Sequence, residues 1–274
     1  MELAYRRPME TRAAAAGATG GGAAWPAVVF LHAFPVDSRM WRGQLSALER
    51  RCDVWAPDFR GFGRTPAGEA EFTIADLADD VIQTLDAAEK PPAGPVVFAG
   101  CSLGGYVAFE LWRRHPGRVA GLMLANTRAG ADTDEVRAKR MAQIERLAAE
   151  GGGFLADAIS QALPSPDVDP DLRAEIRGWM AEPNPDAVAK MLRALAARAD
   201  SAPLLPTITV PTLVIAGERD TVTPPDLSET MAAAIPGARL NIFAGAGHLS
   251  PLEARAEFNQ TLTAWMDATF PVVP

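Results

Sequence analysis

A serine flanked by glycines stands between a short apolar run and a helix-forming segment, and this junction restricts the fold most. The pentapeptide is Gly100-Cys101-Ser102-Leu103-Gly104. It follows the apolar run 95–99, which is typical of a strand buried on both faces. The helix pattern after it ends at His115-Pro116-Gly117. A turn of this kind between a strand and a helix would expose the Ser102 hydroxyl at its tip, with a helix N-terminus behind it.

A pentapeptide motif with only three fixed positions also occurs by chance. The motif alone therefore allows two interpretations. Ser102 is either a catalytic nucleophile or a serine that caps the following helix. A serine hydroxyl is a poor nucleophile without a base, and the base needs a third group that orients it. The rest of the chain therefore has to supply a base, an acid and donors for an oxyanion.

The composition is that of a globular protein with a sizeable core. The chain has 274 residues, of which 48% are hydrophobic and 22% charged, enough for one α/β domain with an insertion or for two small domains. The formal net charge of -8 argues against nucleic acid or an anionic membrane surface as a partner. We therefore expect a small-molecule partner, and the sequence leaves a homo-oligomer open.

The sequence also bears on the compartment. No segment reaches the length of a membrane span, and residues 13–24 lack the large apolar side chains of a signal peptide. Those residues are instead predicted to be a flexible, tight connection between two N-terminal strands or a partly disordered segment. Cys52 and Cys101 are too few for a disulfide framework and have no metal-site spacing. We expect two reduced thiols in a cytoplasmic protein.

Strand and helix patterns alternate along the chain. The predicted strands cover residues 27–31, 52–56, 96–99, 119–125, 212–216 and 240–243. The predicted helices cover residues 41–50 and 74–88, the segment after Ser102, and residues 251–269. This alternation predicts a mostly parallel, doubly wound sheet with right-handed crossovers.

The alternation stops near residue 127, and the pattern is helical throughout from residue 132 to about residue 202. A helical block placed between two strands of one sheet is most simply an inserted cap. We therefore divide the chain into a first part of the α/β core (1–127), a helical cap (128–205) and a second part of the core (206–274).

Three histidines are present, and their positions indicate different roles. His115 closes a helix and is predicted to be a C-terminal cap or surface residue. His32 follows the first apolar strand and is predicted to brace its loop by hydrogen bonds. His248 lies on the loop between the last strand and the last helix, where parallel sheets form their sites. His248 is therefore the predicted base, and the alternative is a loop histidine that caps the following helix.

The acid should also follow a strand at its C-terminal end, and Asp220 does so. The order nucleophile, acid, base along the chain is then the one expected for a Gly-x-Ser-x-Gly enzyme of this fold class. Glu218 and Asp226 are close rivals, and Asp132 and Asp134 are more distant ones.

Two backbone N–H groups are candidates for an oxyanion hole. One is that of Leu103, directly after the serine and at the positive end of a helix. The other is that of Phe34, because the neighbouring Pro35 has no N–H. We also expect Trp41, Trp179 and Met180 to line an apolar substrate pocket between the sheet and the helical cap.

Five segments together resemble the α/β-hydrolase superfamily, in its esterase and 3-oxoadipate enol-lactonase-like branch. They are His32-Ala33-Phe34-Pro35, Asp58 to Thr65, Gly100 to Gly105, Gly217 to Asp220, and Gly247-His248. The resemblance extends over nearly the whole chain in the expected order. It implies an α/β-hydrolase fold, and it implies that the segment from Asp58 to Thr65 is structural.

The serine at the nucleophile position is similar to that of esterases, whereas the dehalogenases and epoxide hydrolases of this fold resemble each other in using aspartate. We expect a serine hydrolase that cleaves a small carboxylic ester or lactone through an acyl-enzyme on Ser102 and needs neither metal nor organic cofactor. A C–C bond hydrolase, a cofactor-free perhydrolase and an acyltransferase share the same three residues. A ligand-binding receptor on a hydrolase fold is the alternative that is not an enzyme.

Overall fold

The computed structural model of the chain describes residues 1–7 and 25–271. Seven strands form one sheet with the spatial order β1-β3-β2-β4-β5-β6-β7. The strands are β1 (Tyr5–Arg6), β2 (Val28–Leu31), β3 (Val54–Pro57), β4 (Val96–Cys101), β5 (Val119–Ala125), β6 (Thr212–Gly217) and β7 (Arg239–Phe243). Only β1 is antiparallel to its neighbour, and the other adjacent pairs are parallel. The predicted mostly parallel sheet is confirmed, and the predicted connection at residues 13–24 lies outside the described residues.

Helices connect the strands along the described chain. They are α1 (Arg42–Leu48), α2 (Ile74–Ala87), α3 (Leu103–Arg114), α4 (Asp134–Glu150), α5 (Gly153–Ala162), α6 (Pro170–Ala181), α7 (Pro185–Ala196), α8 (Pro225–Ala234), α9 (Ser250–Glu253) and α10 (Arg255–Thr269). Short 3-10 helices cover Ser38–Trp41, Pro116–Arg118 and Ala202–Thr207. In residues 1–7 and 25–271, none of the helices is long and apolar enough to span a membrane.

Two apolar layers cover the two faces of the sheet. In β2, Val29 and Leu31 pack in the layer that contains α2, α3 and α8, while Val28 and Phe30 pack in the layer that contains α1 and α10. The buried strands can be apolar throughout because helices cover both faces. This is the doubly wound arrangement that the alternating sequence predicts.

The parallel strands end together at one edge of the sheet. The Ser102 N–H donates to Ala125 O at 3.0 Å, and the Asn126 N–H donates to Ile215 O at 2.9 Å. The Glu218 N–H donates to Phe243 O at 3.0 Å. These bonds continue the ladder past β4, β5 and β6, so the residues that follow these strands are brought side by side.

Within the described residues, the segment between β5 and β6 contains the helices α4 to α7 and no strand. It contacts the rest of the molecule through polar side chains as well as apolar ones. Arg42 of α1 pairs with Glu175 of α6 at 2.6 Å. The Lys190 ammonium of α7 donates to the carbonyl oxygens of Gly68 and Glu69 at 2.9 and 3.0 Å.

The predicted helix over residues 41–50 is two elements, a 3-10 turn over Ser38–Trp41 and then α1. The Asp37 carboxylate caps the first of them by accepting from the Arg39 N–H at 2.8 Å. Because a capped 3-10 turn precedes α1, the helical structure begins at Ser38, three residues before the predicted start at residue 41.

Candidate active site

Ser102 occupies a strained turn between β4 and α3. Its φ of 52° and ψ of -111° lie in a region that residues with a side chain rarely adopt. The flanking glycines are required by close backbone contacts. A Cβ on Gly100 would lie 2.3 Å from Gly104 O, and one on Gly104 would lie 2.0 Å from Leu31 O. The glycines therefore let α3 start directly against the sheet, which turns the Ser102 hydroxyl toward the strand ends.

Three predicted side chains form one chain of hydrogen bonds. Ser102 Oγ lies 2.8 Å from His248 Nε2, and His248 Nδ1 lies 2.7 Å from Asp220 Oδ2. The Asp220 carboxylate can only accept, so Nδ1 carries the proton and Nε2 is left to accept from the serine hydroxyl. Both His248 and Asp220 are buried. This is the geometry in which a serine hydroxyl can lose its proton to an imidazole.

Asp220 is held as a carboxylate by its surroundings. Burial would raise its pKa, but the charge of His248 and the hydrogen bonds from His248, Thr223 and Asn126 together lower the pKa to about 2. The donors include the backbone N–H groups of Val222 and Thr223, at 2.8 and 2.9 Å. The charged Asp220 carboxylate accepts from His248 Nδ1 and so holds the ring in the tautomer whose Nε2 faces Ser102.

The rival acids lie elsewhere. The Glu218 carboxylate accepts from the Gly245 N–H, and Asp226 is exposed in the first turn of α8. Asp132 is buried among arginines, and Asp134 pairs with an arginine on α4. Among these carboxylates and Asp220, only Asp220 contacts the ring of His248.

The other two histidines have the structural roles that the sequence predicts. The His32 ring lies 2.9 Å from Ala33 O through Nδ1, and its Nε2 accepts from the Phe59 N–H at 2.9 Å. Burial lowers the pKa of His32, so the ring is neutral and braces the loop after β2. His115 is the C-terminal cap of α3 and contacts Asp79.

The two predicted oxyanion donors lie at the same edge of the sheet as Ser102. Leu103 is the first residue of α3, and Phe34 lies on the loop after β2. Within the described residues, neither backbone N–H donates to a protein acceptor. The neighbouring Ala33 N–H, in contrast, donates to Met40 Sδ at 3.2 Å. The N–H groups of Phe34 and Leu103 are thus without a protein acceptor in the described part of the chain, and their role as oxyanion donors stays a prediction.

Four polar residues around the site were not predicted. Asn126 Nδ2 donates to Asp220 Oδ2 at 3.0 Å, and Asn126 Oδ1 accepts from Ser250 Oγ at 2.5 Å. Thr223 Oγ1 donates to Asp220 Oδ2 at 2.7 Å. Glu253 accepts from backbone N–H groups beside the base. Asn126 directly follows a predicted strand, and that placement is the signal that identifies it.

The predicted pocket residues are all buried. Trp41 has no accessible surface and packs between the rings of Phe30 and Phe258, 4.9 and 6.0 Å away by ring centroids. Trp41 therefore packs in the core of this sheet face, and its contact with a substrate stays a prediction. Trp179 and Met180 lie on α6 in the same apolar cluster, and their contact with a substrate stays a prediction.

Cys101 and Cys52 are both free. Burial raises the pKa of Cys101 well above its usual value, and burial raises that of Cys52 to about 12. Both thiols are therefore protonated at neutral pH and do not compete with Ser102 as nucleophiles. In the described part of the chain, no group of three or more histidine, cysteine or acidic side chains is arranged to hold a metal ion.

A sequence model of the family described as alpha/beta hydrolase fold matches residues 26–254. The pimeloyl-[acyl-carrier protein] methyl ester esterase of Neisseria meningitidis serogroup B is 31% identical over 238 residues, which cover 84% of this chain and 88% of that protein.

Solved structures agree with the sequence comparisons. A thermophilic esterase from Thermogutta terrifontis superposes with a TM-score of 0.84 at 31% identity, covering 97% of this chain and 93% of its own. The enol-lactonase of Burkholderia xenovorans has a TM-score of 0.82 at 30% identity, covering 96% of both chains.

Proposed function

The chain belongs to the α/β-hydrolase fold family, and we propose that it is a serine hydrolase that cleaves a small carboxylic ester or lactone through an acyl-enzyme on Ser102. One observation carries the proposal: Ser102 Oγ lies 2.8 Å from His248 Nε2, and His248 Nδ1 lies 2.7 Å from the buried carboxylate of Asp220. A ligand receptor would need none of these three groups in contact.

In the first half of the reaction, Ser102 Oγ attacks the carbonyl carbon of the substrate and His248 Nε2 takes the hydroxyl proton. The Asp220 carboxylate, with its pKa of about 2, stays charged and stabilises the imidazolium. The tetrahedral oxygen then carries the negative charge, and in this proposal the N–H groups of Phe34 and Leu103 donate hydrogen bonds to it.

In the second half, the imidazolium returns its proton to the leaving oxygen, and the acyl group stays on Ser102. Water then attacks the acyl carbon, with His248 Nε2 again taking the proton. The bond between that carbon and Ser102 Oγ breaks, the imidazolium returns its proton to Ser102 Oγ, and the acid product leaves. In a lactone the leaving oxygen stays attached to the acyl chain, so one product is released instead of two.

Residues 128–205 are proposed to act as a cap over this site, and Trp179 and Met180 to present apolar surface to the substrate. Two contacts support a cap at this place. The His248 N–H donates to Leu163 O at 2.8 Å, and Arg42 of α1, in the α/β core, pairs with Glu175 of α6. The segment is thus in direct contact with the loop that carries the base.

The compared proteins support the ester and lactone classes, since they include esterases and an enol-lactonase. The free thiols Cys52 and Cys101 support a reducing compartment, such as the cytoplasm. A panel of short-chain esters, lactones, ring-fission diketones and acyl acceptors separates the hydrolase from the C–C hydrolase, perhydrolase and acyltransferase alternatives.

Turnover of a short-chain p-nitrophenyl ester and covalent labelling by a fluorophosphonate test the proposal. We expect the wild type to turn over and to label, and Ser102→Ala to lose roughly 10⁴-fold or more of the turnover and all of the labelling. His248→Ala should lose labelling too, because the hydroxyl then lacks a base. A wild type that neither turns over nor labels would refute the proposal.

The acid is tested in the same assays by a matched pair of substitutions. Asp220→Asn keeps the size of the side chain but removes the charge beside His248, and we expect kcat to fall by roughly 10³- to 10⁴-fold. Asp226→Asn removes a charge on exposed α8 and should leave kcat unchanged. Equal losses in the two variants would contradict the assignment of Asp220.

A further inference from the structure

The loop that carries the base is held by a carboxylate that takes no part in the chemistry. We propose that Glu253 is a positioning residue for His248: its side chain fixes the backbone on both sides of the base and ties it to the cap. This inference rests on the proposed function, since it concerns His248 as the base.

The Glu253 carboxylate accepts from the residues before and after the base. Its Oε2 accepts from the Gly247 N–H at 2.9 Å, and its Oε1 accepts from the Leu249 N–H at 2.8 Å. The His248 N–H between them donates to Leu163 O at 2.8 Å. Three consecutive N–H groups therefore have fixed acceptors, and the Cα of His248 cannot shift without breaking at least one of these bonds.

The same carboxylate also holds the cap against the base loop. Glu253 Oε2 accepts from the Ser165 N–H at 2.7 Å. The approach is close, because a Cβ added to Gly247 would lie 2.3 Å from Ser165 N. One oxygen atom thus joins the backbone of the cap at Ser165 to the backbone beside the base at Gly247.

The single turn of α9 places the Glu253 carboxylate next to the loop that carries His248. Glu253 is the last residue of α9, a single turn that starts at Ser250, and its own N–H donates to Leu249 O at 3.0 Å. Ser250 Oγ bonds to Asn126 Oδ1 at the end of β5. The turn is therefore anchored to the sheet. The side chain of Glu253, at the end of this turn, faces back toward the loop from which the turn starts.

The carboxylate is compensated by backbone donors. In the described part of the chain, no lysine, arginine or histidine forms an ion pair with Glu253. Three N–H groups bond to its two oxygens, and hydrogen bonds to an ionised acceptor are the strong kind. A glutamine side chain cannot accept all of these bonds, because its amide has one oxygen acceptor. Its NH₂ group would face a backbone N–H, and two donors cannot bond to each other.

The test is Glu253→Gln, compared with Glu257→Gln, which neutralises an exposed glutamate one turn later on α10. We expect Glu253→Gln to lower kcat for a p-nitrophenyl ester by roughly 10- to 100-fold with KM nearly unchanged, because a base displaced by about 1 Å transfers the proton poorly. Fluorophosphonate labelling of Ser102 should slow by the same factor. Glu257→Gln should match the wild type.

A second comparison separates positioning from general damage to the fold. In an Asp220→Asn background His248 is already badly oriented, so adding Glu253→Gln should cost much less than it does in the wild type. A substitution that merely weakened the fold would cost the same factor in both backgrounds. If Glu253→Gln does not fold, Glu253→Asp, which keeps the charge but is one methylene shorter, is measured in the same scheme.

The outcomes are distinguishable from those that test the function. A wild type without turnover or labelling refutes the proposed function. A wild type that turns over, with Glu253→Gln equal to Glu257→Gln in kcat, refutes the role of Glu253. Full additivity with Asp220→Asn refutes it as well.

Discussion

Asn126 shows how one buried side chain organises the site. Its amide donates to Asp220 Oδ2 and to Gly247 O, at 3.0 and 3.1 Å, while its Oδ1 accepts from Ser250 Oγ. The residue has a φ of 47°, a left-handed conformation that asparagine adopts more readily than most side chains do. Backbone conformation and hydrogen bonding therefore favour the same residue type at the end of β5.

His32 carries a pH dependence of stability that its burial causes. The neutral ring fits its partners, since Nε2 accepts from the Phe59 N–H and Nδ1 faces Ala33 O. Burial lowers its pKa, even though the charges of Asp58 and Asp37 act to raise it. The unfolded chain therefore binds a proton at a higher pH than the folded protein does.

We predict that the free energy of unfolding contributed by His32 is fully present above about pH 6.5 and declines as the pH falls below it. His32→Gln should destabilise the protein by about 1–3 kcal/mol at pH 8, and this difference from the wild type should shrink toward pH 5. Urea unfolding at both pH values measures it. A difference that stays constant from pH 8 to pH 5 would contradict the prediction.

At the scale of elements, the contact of α3 with β2 determines where the nucleophile lies. Gly104 allows this contact, because a Cβ there would lie 2.0 Å from Leu31 O. The atom it would meet belongs to the backbone of a central strand, which cannot move aside as a flexible side chain can. A larger residue must therefore push the start of α3 away from the sheet.

Gly104→Ala is expected to destabilise the protein by about 1–3 kcal/mol or more. It should also lower kcat, because Ser102 and Leu103 move with the helix. Gly117→Ala is the matched control, since a Cβ there meets nothing within 4 Å, and we expect it to change stability by about 0.5 kcal/mol or less. Urea midpoints and ester turnover measure both effects. Gly104→Ala with the stability of the control would show that the contact is not needed.

The accuracy with which the sequence predicts the positions and roles of residues differs from element to element. Buried parallel strands are apolar throughout, so β2, β5 and β6 could be located to within a residue or two of their bounds. The three residues in contact could be named because each follows a strand that ends at one edge of the sheet. Whether Trp41 lines a pocket or lies only in the core could not be predicted from the sequence, because apolar character is the same for both and the local 3-10 turn decides which way the side chain points. Glu253 was missed as a functional residue because its bonds to the backbone leave no pattern in the sequence.

At the scale of the whole molecule, charged side chains join the proposed cap to the rest of the protein on several sides. The pairs are Arg42–Glu175, Arg39–Glu182, Arg193–Glu71 and Arg219–Asp167. All of these side chains are partly exposed, so each pair contributes about 0.2–1 kcal/mol at most and is screened by salt. The buried contact of Lys190 with the carbonyls of Gly68 and Glu69 should be screened much less.

The exposed pairs therefore predict a contribution to stability that depends on ionic strength. A variant that neutralises the four acidic partners carries Glu71→Gln, Asp167→Asn, Glu175→Gln and Glu182→Gln. It should unfold at a lower urea concentration than the wild type at 50 mM NaCl, and the difference should shrink at 1 M NaCl.

Removing four negative charges from a chain of net charge -8 also reduces general repulsion, which would act in the opposite direction. The control therefore makes the same change of charge at exposed glutamates outside these pairs and away from Lys190, with Glu89→Gln, Glu145→Gln, Glu229→Gln and Glu257→Gln. If the ion pairs stabilise the contact with the cap, only the first variant loses stability at low salt relative to this control. Equal behaviour of the two variants at both salt concentrations would show that burial and the Lys190 contact hold the cap, and that the surface charges do not.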